Sequence, residues 1–191
     1  HKEYRRQRQM CIRDRACRSF GGALLADDMG LGKTLQTLAA ISALRPKAAK
    51  DRKPTLVICP ASVAHNWQRE AARFVPWMKT IVVERGSARK AILERAGEYD
   101  IVIKNYALAR RDIEELRAHE WLAVIVDEAQ AIKNPQSEIA RTVKDLKAAY
   151  RIALTGTPIE NRLSDLWSIM DFCVPGYFGS LTHFESGAKS R

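Results

Sequence analysis

From residue 20 onward, short apolar runs alternate with stretches whose apolar residues recur at helical spacing. The runs are Gly22–Ala26, Leu56–Cys59, Ile81–Val83, Ile101–Ile103, Leu122–Val126 and Arg151–Leu154. Several are rich in Val and Ile with little polar alternation, the pattern of parallel strands covered on both faces. Between them come Leu35, Leu38 and Ile41; then Val63, Trp67, Glu70 and Phe74; then Ile113 and Leu116. This alternation of strand and helix predicts an α/β fold with a central, mainly parallel sheet. Right-handed crossovers bring the C-terminal ends of such strands to one edge, where ligands bind.

Three of these strands end in residues with chemistry. Leu24-Leu25-Ala26-Asp27-Asp28-Met29-Gly30-Leu31-Gly32-Lys33-Thr34 runs from an apolar strand through a Gly-containing loop into a helix. The glycines permit a tight turn with inward-facing N–H groups, and the helix N-terminus adds partial positive charge where phosphates sit. Lys33 would reach the β and γ phosphates, and the Thr34 hydroxyl would ligate Mg²⁺. The strict phosphate-loop pattern wants Gly at position 27, where this chain has Asp27. Val124-Ile125-Val126-Asp127-Glu128 places two carboxylates after a buried strand. Asp127 there can hold Mg²⁺ directly or through water, and Glu128 can orient or deprotonate an attacking water. Alone, such a pair is equally a charge complement to a helix dipole. Arg151-Ile152-Ala153-Leu154-Thr155-Gly156-Thr157-Pro158 ends a third strand in a small polar loop. Its hydroxyls could sense the γ-phosphate through Glu128, although by local chemistry a plain turn is the simpler reading.

Composition adds limits. The hydrophobic fraction, 46%, suits a globular chain, and no apolar run approaches the roughly 20 residues of a bilayer span. The N-terminus lacks a secretory pattern, so a cytoplasmic protein is expected: nucleoid-associated in a bacterium, nuclear in a eukaryote. None of the four cysteines forms a C-x-x-C pair, which leaves a zinc site unsupported and buried, reduced thiols as the expectation. Half of the +10 net charge lies in residues 1–18, so the remaining body is modestly basic. A basic face suits a polyanion, but an ordinary solvated surface explains it as well. Residues 1–18 show no apolar period, and Met10–Arg15 resembles one reading frame of a sequencing-library adapter. That segment is expected to be a non-native or disordered arm, with a nucleic-acid-binding arm as the alternative. Residues 19–184 are expected to form an ATP-binding lobe, and 185–191 a truncated or disordered tail.

The motifs together resemble the Swi/Snf family of helicase-like, duplex-DNA-translocating ATPases, particularly its bacterial members. Asp27–Gln36 is similar to the family's motif I. Asp127-Glu128-Ala129-Gln130 with Ile132–Pro135 is similar to motif II, a DEAQ box. Leu154–Asn161 with Asp165-Leu166-Trp167 resembles motif III, and Pro60-Ala61-Ser62 with Asn66, Trp67 and Glu70 resembles motif Ia. The resemblance runs in order from about Gly21 to Phe184. It implies a three-layer RecA-like P-loop lobe that binds ATP and Mg²⁺. The catalytic set would be Lys33, Asp127 and Glu128, and the nucleotide would lie on Asp28, Met29, Gly30, Leu31, Gly32, Lys33 and Thr34. Thr34 and Asp127 would hold Mg²⁺. Gln130, Thr155, Gly156 and Thr157 would couple hydrolysis to movement. Ser62, Asn66 and Lys104 would contact the DNA backbone, although Ser62 could instead cap the next helix.

Three departures from the pattern stand out. Lys104-Asn105-Tyr106 replaces small hydroxyl residues in a segment that normally faces DNA. No adenine-reading Gln motif is assignable in residues 1–18. The second RecA-like lobe, with its arginine finger, is expected outside these 191 residues. Because such a finger is worth roughly 10³ to 10⁵ in turnover, the lobe alone should hydrolyse ATP barely above background. The expected partners are therefore double-stranded DNA and the second lobe, with RNA polymerase or another DNA-bound protein as a further candidate and no membrane. A strand-separating helicase, an RNA-dependent ATPase and a non-catalytic scaffold are the competing functions.

Overall fold

Side chains alternate faces along a strand, so a run buried throughout must feed two separate cores. The computed structural model describes residues 21–27, 32–156 and 163–189, and shows this division. Within β2 (Thr55–Cys59), Leu56 and Ile58 pack into one cluster while Val57 and Cys59 pack into the other. β5 (Trp121–Asp127) divides likewise, with Val124 and Val126 on one side and Ile125 on the other. β1 (Gly22–Ala26), β3 (Thr80–Val82), β4 (Ile101–Asn105) and β6 (Ala148–Thr155) complete a six-stranded sheet in the order β1-β6-β5-β2-β4-β3. Every pairing is parallel.

One face is covered by α1 (Lys33–Leu44) through Leu38 and Ile41, and by α2 (Ala64–Phe74) through Trp67 and Ala71. The other carries α3 (Arg89–Glu94), α4 (Tyr106–Arg111), α5 (Ile113–Arg117), α6 (Glu138–Lys144) and α7 (Leu163–Cys173). Their anchors there are Leu93, Ala109, Leu116, Val143 and Phe172. α8 (Leu181–Lys189) packs on α7. The expected three-layer α/β fold is present, and all six apolar runs are strands. β6 starts earlier than its apolar run, at Ala148 rather than Arg151, because it continues beside β5 as far as Trp121. Among the described residues no helix is long and apolar enough to cross a membrane. The arm expected over residues 1–18 lies outside the described residues, as do residues 19–20 and 190–191.

Two positions expose tight constraints. A Cβ added to Gly22 would lie 1.9 Å from the carbonyl oxygen of Cys173 and 3.0 Å from that of Arg151. Both neighbours are backbone, so β1 and the end of α7 would have to separate. Gly22→Ala should therefore cost about 1–3 kcal/mol of stability, read as a lower urea midpoint. Cys59 and Cys173 are buried thiols, as expected. Burial, reinforced by the Asp127 carboxylate, pushes the Cys59 thiol up to about 12. The folded thiol holds its proton more tightly than the unfolded one. Its contribution to stability is thus complete below the ordinary thiol value of 9.0 and is lost as pH rises toward about 12. Unfolding midpoints should fall across that window, and less steeply in Cys59→Ala.

Candidate nucleotide site

The strand order puts β6 between β1 and β5, so the ends of these three strands form one short edge. Asp27, Thr155 and Asp127 stand at those ends. On the β1 side, Gly32 precedes α1 with φ 74° and ψ 36°, a left-handed conformation that suits glycine. The helix then opens on Lys33 and Thr34, with its first N–H groups turned to the edge. Lys33 Nζ donates to the Asp27 carbonyl at 2.8 Å, which folds the ammonium back over the strand end. Thr37 Oγ1 donates to the Lys33 carbonyl at 2.8 Å and fixes the first turn. Asp28, Met29, Gly30 and Leu31 lie outside the described residues, as does Thr157.

On the β5 side, Asp127 is held from three directions. Its Oδ1 accepts from the Glu128 N–H at 2.9 Å. Its Oδ2 accepts from the indole N–H of Trp67, on α2, at 2.8 Å. The Tyr106 hydroxyl, at the start of α4, donates to the Asp127 carbonyl and lies 3.5 Å from that of Glu128. Burial raises the Asp127 carboxyl above its ordinary value; the hydrogen bonds from Trp67 and Glu128 oppose that rise, the Glu128 charge adds to it and Lys33 opposes it. Burial also pushes the Tyr106 phenol well up, so it stays a donor.

Glu128 has φ 54° and ψ 59°, the one non-glycine with positive φ among the described residues. A left-handed glutamate costs roughly 1–2 kcal/mol, and such strain collects at functional sites. The turn brings Glu128 Oε2 to Gln130 Nε2 at 2.8 Å, and Gln130 Oε1 accepts from Thr155 Oγ1 at 3.2 Å. Glu128, Gln130 and Thr155 thus form one hydrogen-bonded line from the acidic pair to the end of β6, with Gly156 next in the chain.

The donor set fits Mg²⁺. Among the described residues no group of three His, Cys, Asp or Glu side chains could hold a metal. One carboxylate, Asp127, and one hydroxyl, Thr34, suit a cation that completes its shell with phosphate oxygens and water.

The predicted DNA contacts separate. Ser62 is exposed in a short 3₁₀ segment, and α2 has no side-chain cap, so Ser62 does not cap that helix. Asn66 is half-buried, donating to Glu70 Oε1 at 3.1 Å and accepting from Arg69 at 3.3 Å. Lys104 is corrected outright: its side chain is 0% exposed and ion-paired with Asp112, itself 1% exposed. Arg89 Nε stands 2.8 Å from the same Asp112 oxygen. Burial pulls the Lys104 ammonium below its usual value while Asp112 opposes that pull. A side chain so placed ties β4, α3 and the α4–α5 junction together and cannot reach a phosphate. Asn105, beside it, caps α4 by accepting from the Leu108 N–H at 2.9 Å. Asp112→Ala would leave two cations without their counterion and should cost about 3–5 kcal/mol, measured by urea unfolding.

Comparison with known proteins places this geometry. Residues 5–190 match the family described as "SNF2-related domain". The putative ATP-dependent helicase/translocase YwqA of Bacillus subtilis is 44% identical over 166 residues, covering 85% of this chain and 18% of that protein. The TATA-binding protein-associated factor MOT1 of Saccharomyces cerevisiae is 36% identical over 173 residues, covering 85% of this chain and 9% of that one. The structure of the Sulfolobus solfataricus SWI2/SNF2 ATPase core in complex with dsDNA superposes with a TM-score of 0.84 at 45% identity. That match covers 95% of this chain and 37% of the archaeal core, so the chain spans well under half the length of these relatives. The sheet with its phosphate-loop and acidic edges is the RecA-like arrangement of that core, and the chain belongs to the SNF2-related family.

Proposed function

We propose that this lobe binds ATP with Mg²⁺ and forms half of the active site of an ATPase that moves along duplex DNA and remodels protein–DNA complexes. The observation that carries this reading is the shared edge: Lys33 and Thr34 at the start of α1, Asp127 and Glu128 at the end of β5, and Thr155 between them. Lys33 would neutralise the β and γ phosphates, and the N–H groups at the α1 N-terminus would donate to their oxygens. Thr34 and Asp127 would hold Mg²⁺, which supplies charge neutralisation at the transferred phosphoryl group. Glu128 would orient and deprotonate the attacking water, and Gln130 would keep its carboxylate in place. Thr155 would carry a change at Glu128 into β6 and the loop that follows.

Duplex DNA as the track is supported by the archaeal core's complex with dsDNA, by the modest basic excess of the body and by exposed Ser62. Contacts of this kind go to phosphates and are sequence-independent. The second lobe of the site would come from chain beyond this one.

The test is DNA-stimulated ATP hydrolysis in the full-length protein, with unwinding measured in parallel. Duplex DNA should stimulate turnover without strand separation. Glu128→Gln should lower turnover by about 10²- to 10⁴-fold while DNA binding persists. Lys33→Ala should abolish hydrolysis through loss of nucleotide binding. Undiminished turnover in either variant would remove that residue from the scheme, and duplex unwinding would favour a helicase.

A further inference from the structure

Trp67 is only 1% exposed and packs among Leu25, Val57 and Ile125 in the α1–α2 core. Its ring alone would make it a packing residue. Its N–H raises a separate question, because a buried indole N–H requires an acceptor. Trp121, equally buried, meets that need with the backbone carbonyl of Leu116 at 3.0 Å. Trp67 instead spends its donor on a carboxylate oxygen at the functional edge, from sixty positions away in the chain. The bond is charge-assisted and therefore stronger than one to a neutral carbonyl.

The geometry points to Trp67 as a positioning residue for the Mg²⁺-binding carboxylate, a role that rests on the nucleotide reading above. The carboxylate torsion of an aspartate is broad and weakly preferred. One hydrogen bond, from the Glu128 N–H to Oδ1, leaves the group free to turn about that contact. A second, from Trp67 to Oδ2, fixes its plane. Each oxygen retains further acceptor capacity for a cation or its water. The second grip comes from α2, an element that otherwise touches the site nowhere in the hydrogen-bond pattern of Asp127. Alignment of the carboxylate thereby depends on how α2 seats against β5.

The experiment replaces Trp67 in the full-length protein by benzothienylalanine, an isostere in which sulfur stands for the indole N–H. Shape and apolar surface are kept, and the donor is removed. Three quantities are read: the melting temperature, the affinity for a non-hydrolysable ATP analogue without Mg²⁺, and the Mg²⁺ concentration giving half-maximal enhancement of that affinity. The first two should hold, and the Mg²⁺ requirement should rise by about 10- to 100-fold, the usual effect of losing a partner of a metal ligand. Trp67→Phe, which also trims the core, should show the same Mg²⁺ shift together with a lower melting temperature. An unchanged Mg²⁺ requirement in the isostere would overturn the proposal and leave Trp67 a packing residue, with the nucleotide reading intact. Absence of any Mg²⁺-dependent nucleotide binding in the unmodified protein would instead remove the nucleotide reading, and this inference with it.

Discussion

Strand β5 has no solvent side. Residues Trp121 to Val126 are all buried, and Asp127 is the first position at which the strand leaves the core. A charge placed earlier would sit unpaired in hydrocarbon, and one placed later would lose the rigidity of the sheet. β1 and β6 reach the same edge with Ala26 and Thr155 as their last residues. Packing both faces of a parallel sheet with helices thus leaves polar chemistry only at the strand ends, and parallel pairing brings those ends together. Lys33, at the start of α1, and the acidic pair share that edge because parallel pairing brings their strand ends to it.

Lying at the rim of a core has a further effect on Asp127. Its carboxylate is dry enough that burial outweighs the hydrogen bonds it receives, so the folded state holds a group that favours gaining a cation or a proton. The Glu128 amide and the α2 indole restrain that carboxylate, and the α4 phenol holds the Asp127 main-chain carbonyl. Glu128 is shaped differently. Its left-handed backbone is a local strain, and its side chain is pinned through Gln130 to Thr155. The Asp127 carboxylate is therefore gripped from α2 and by the amide that follows it, and the Glu128 carboxylate through Gln130 from a neighbouring strand.

The sheet and its chemical edge were legible because both depend on local sequence. Apolar runs bounded by Gly, Asp or Thr mark the strands, and the acidic pair follows the most apolar of them. What could not be read depends on pairs distant in the chain or on position in space. Lys104 looked like a phosphate contact because it stands in the segment that faces DNA in the family the motifs resemble. Only the fold shows that Asp112 and Arg89 close over it. The need for glycine at 22 comes from the Cys173 carbonyl at the far end of the domain. Trp67 read as a helix-face residue, and its spacing predicted burial but held no sign of the carboxylate beyond it. Ser168, whose hydroxyl donates to the Ile132 carbonyl at 2.7 Å and ties α7 to the turn after the acidic pair, carried no signal at all.

The pairing of β1 with β6 has a consequence for how the protein is made. Gly22 lies beside Arg151, and within the described sheet β1 has no other neighbour. A ribosome delivers β2, β3, β4 and β5 well before β6, and those four strands can assemble on one another as they emerge. β1 is synthesised first of the six, and its partner in the described sheet is the last to be released. At ordinary elongation rates that interval is on the order of ten seconds. During it an apolar strand, Ala23-Leu24-Leu25, waits with its backbone unpaired. On that order of release the edge that carries Asp127 can form before the edge that carries Lys33, and β1 closes the sheet last.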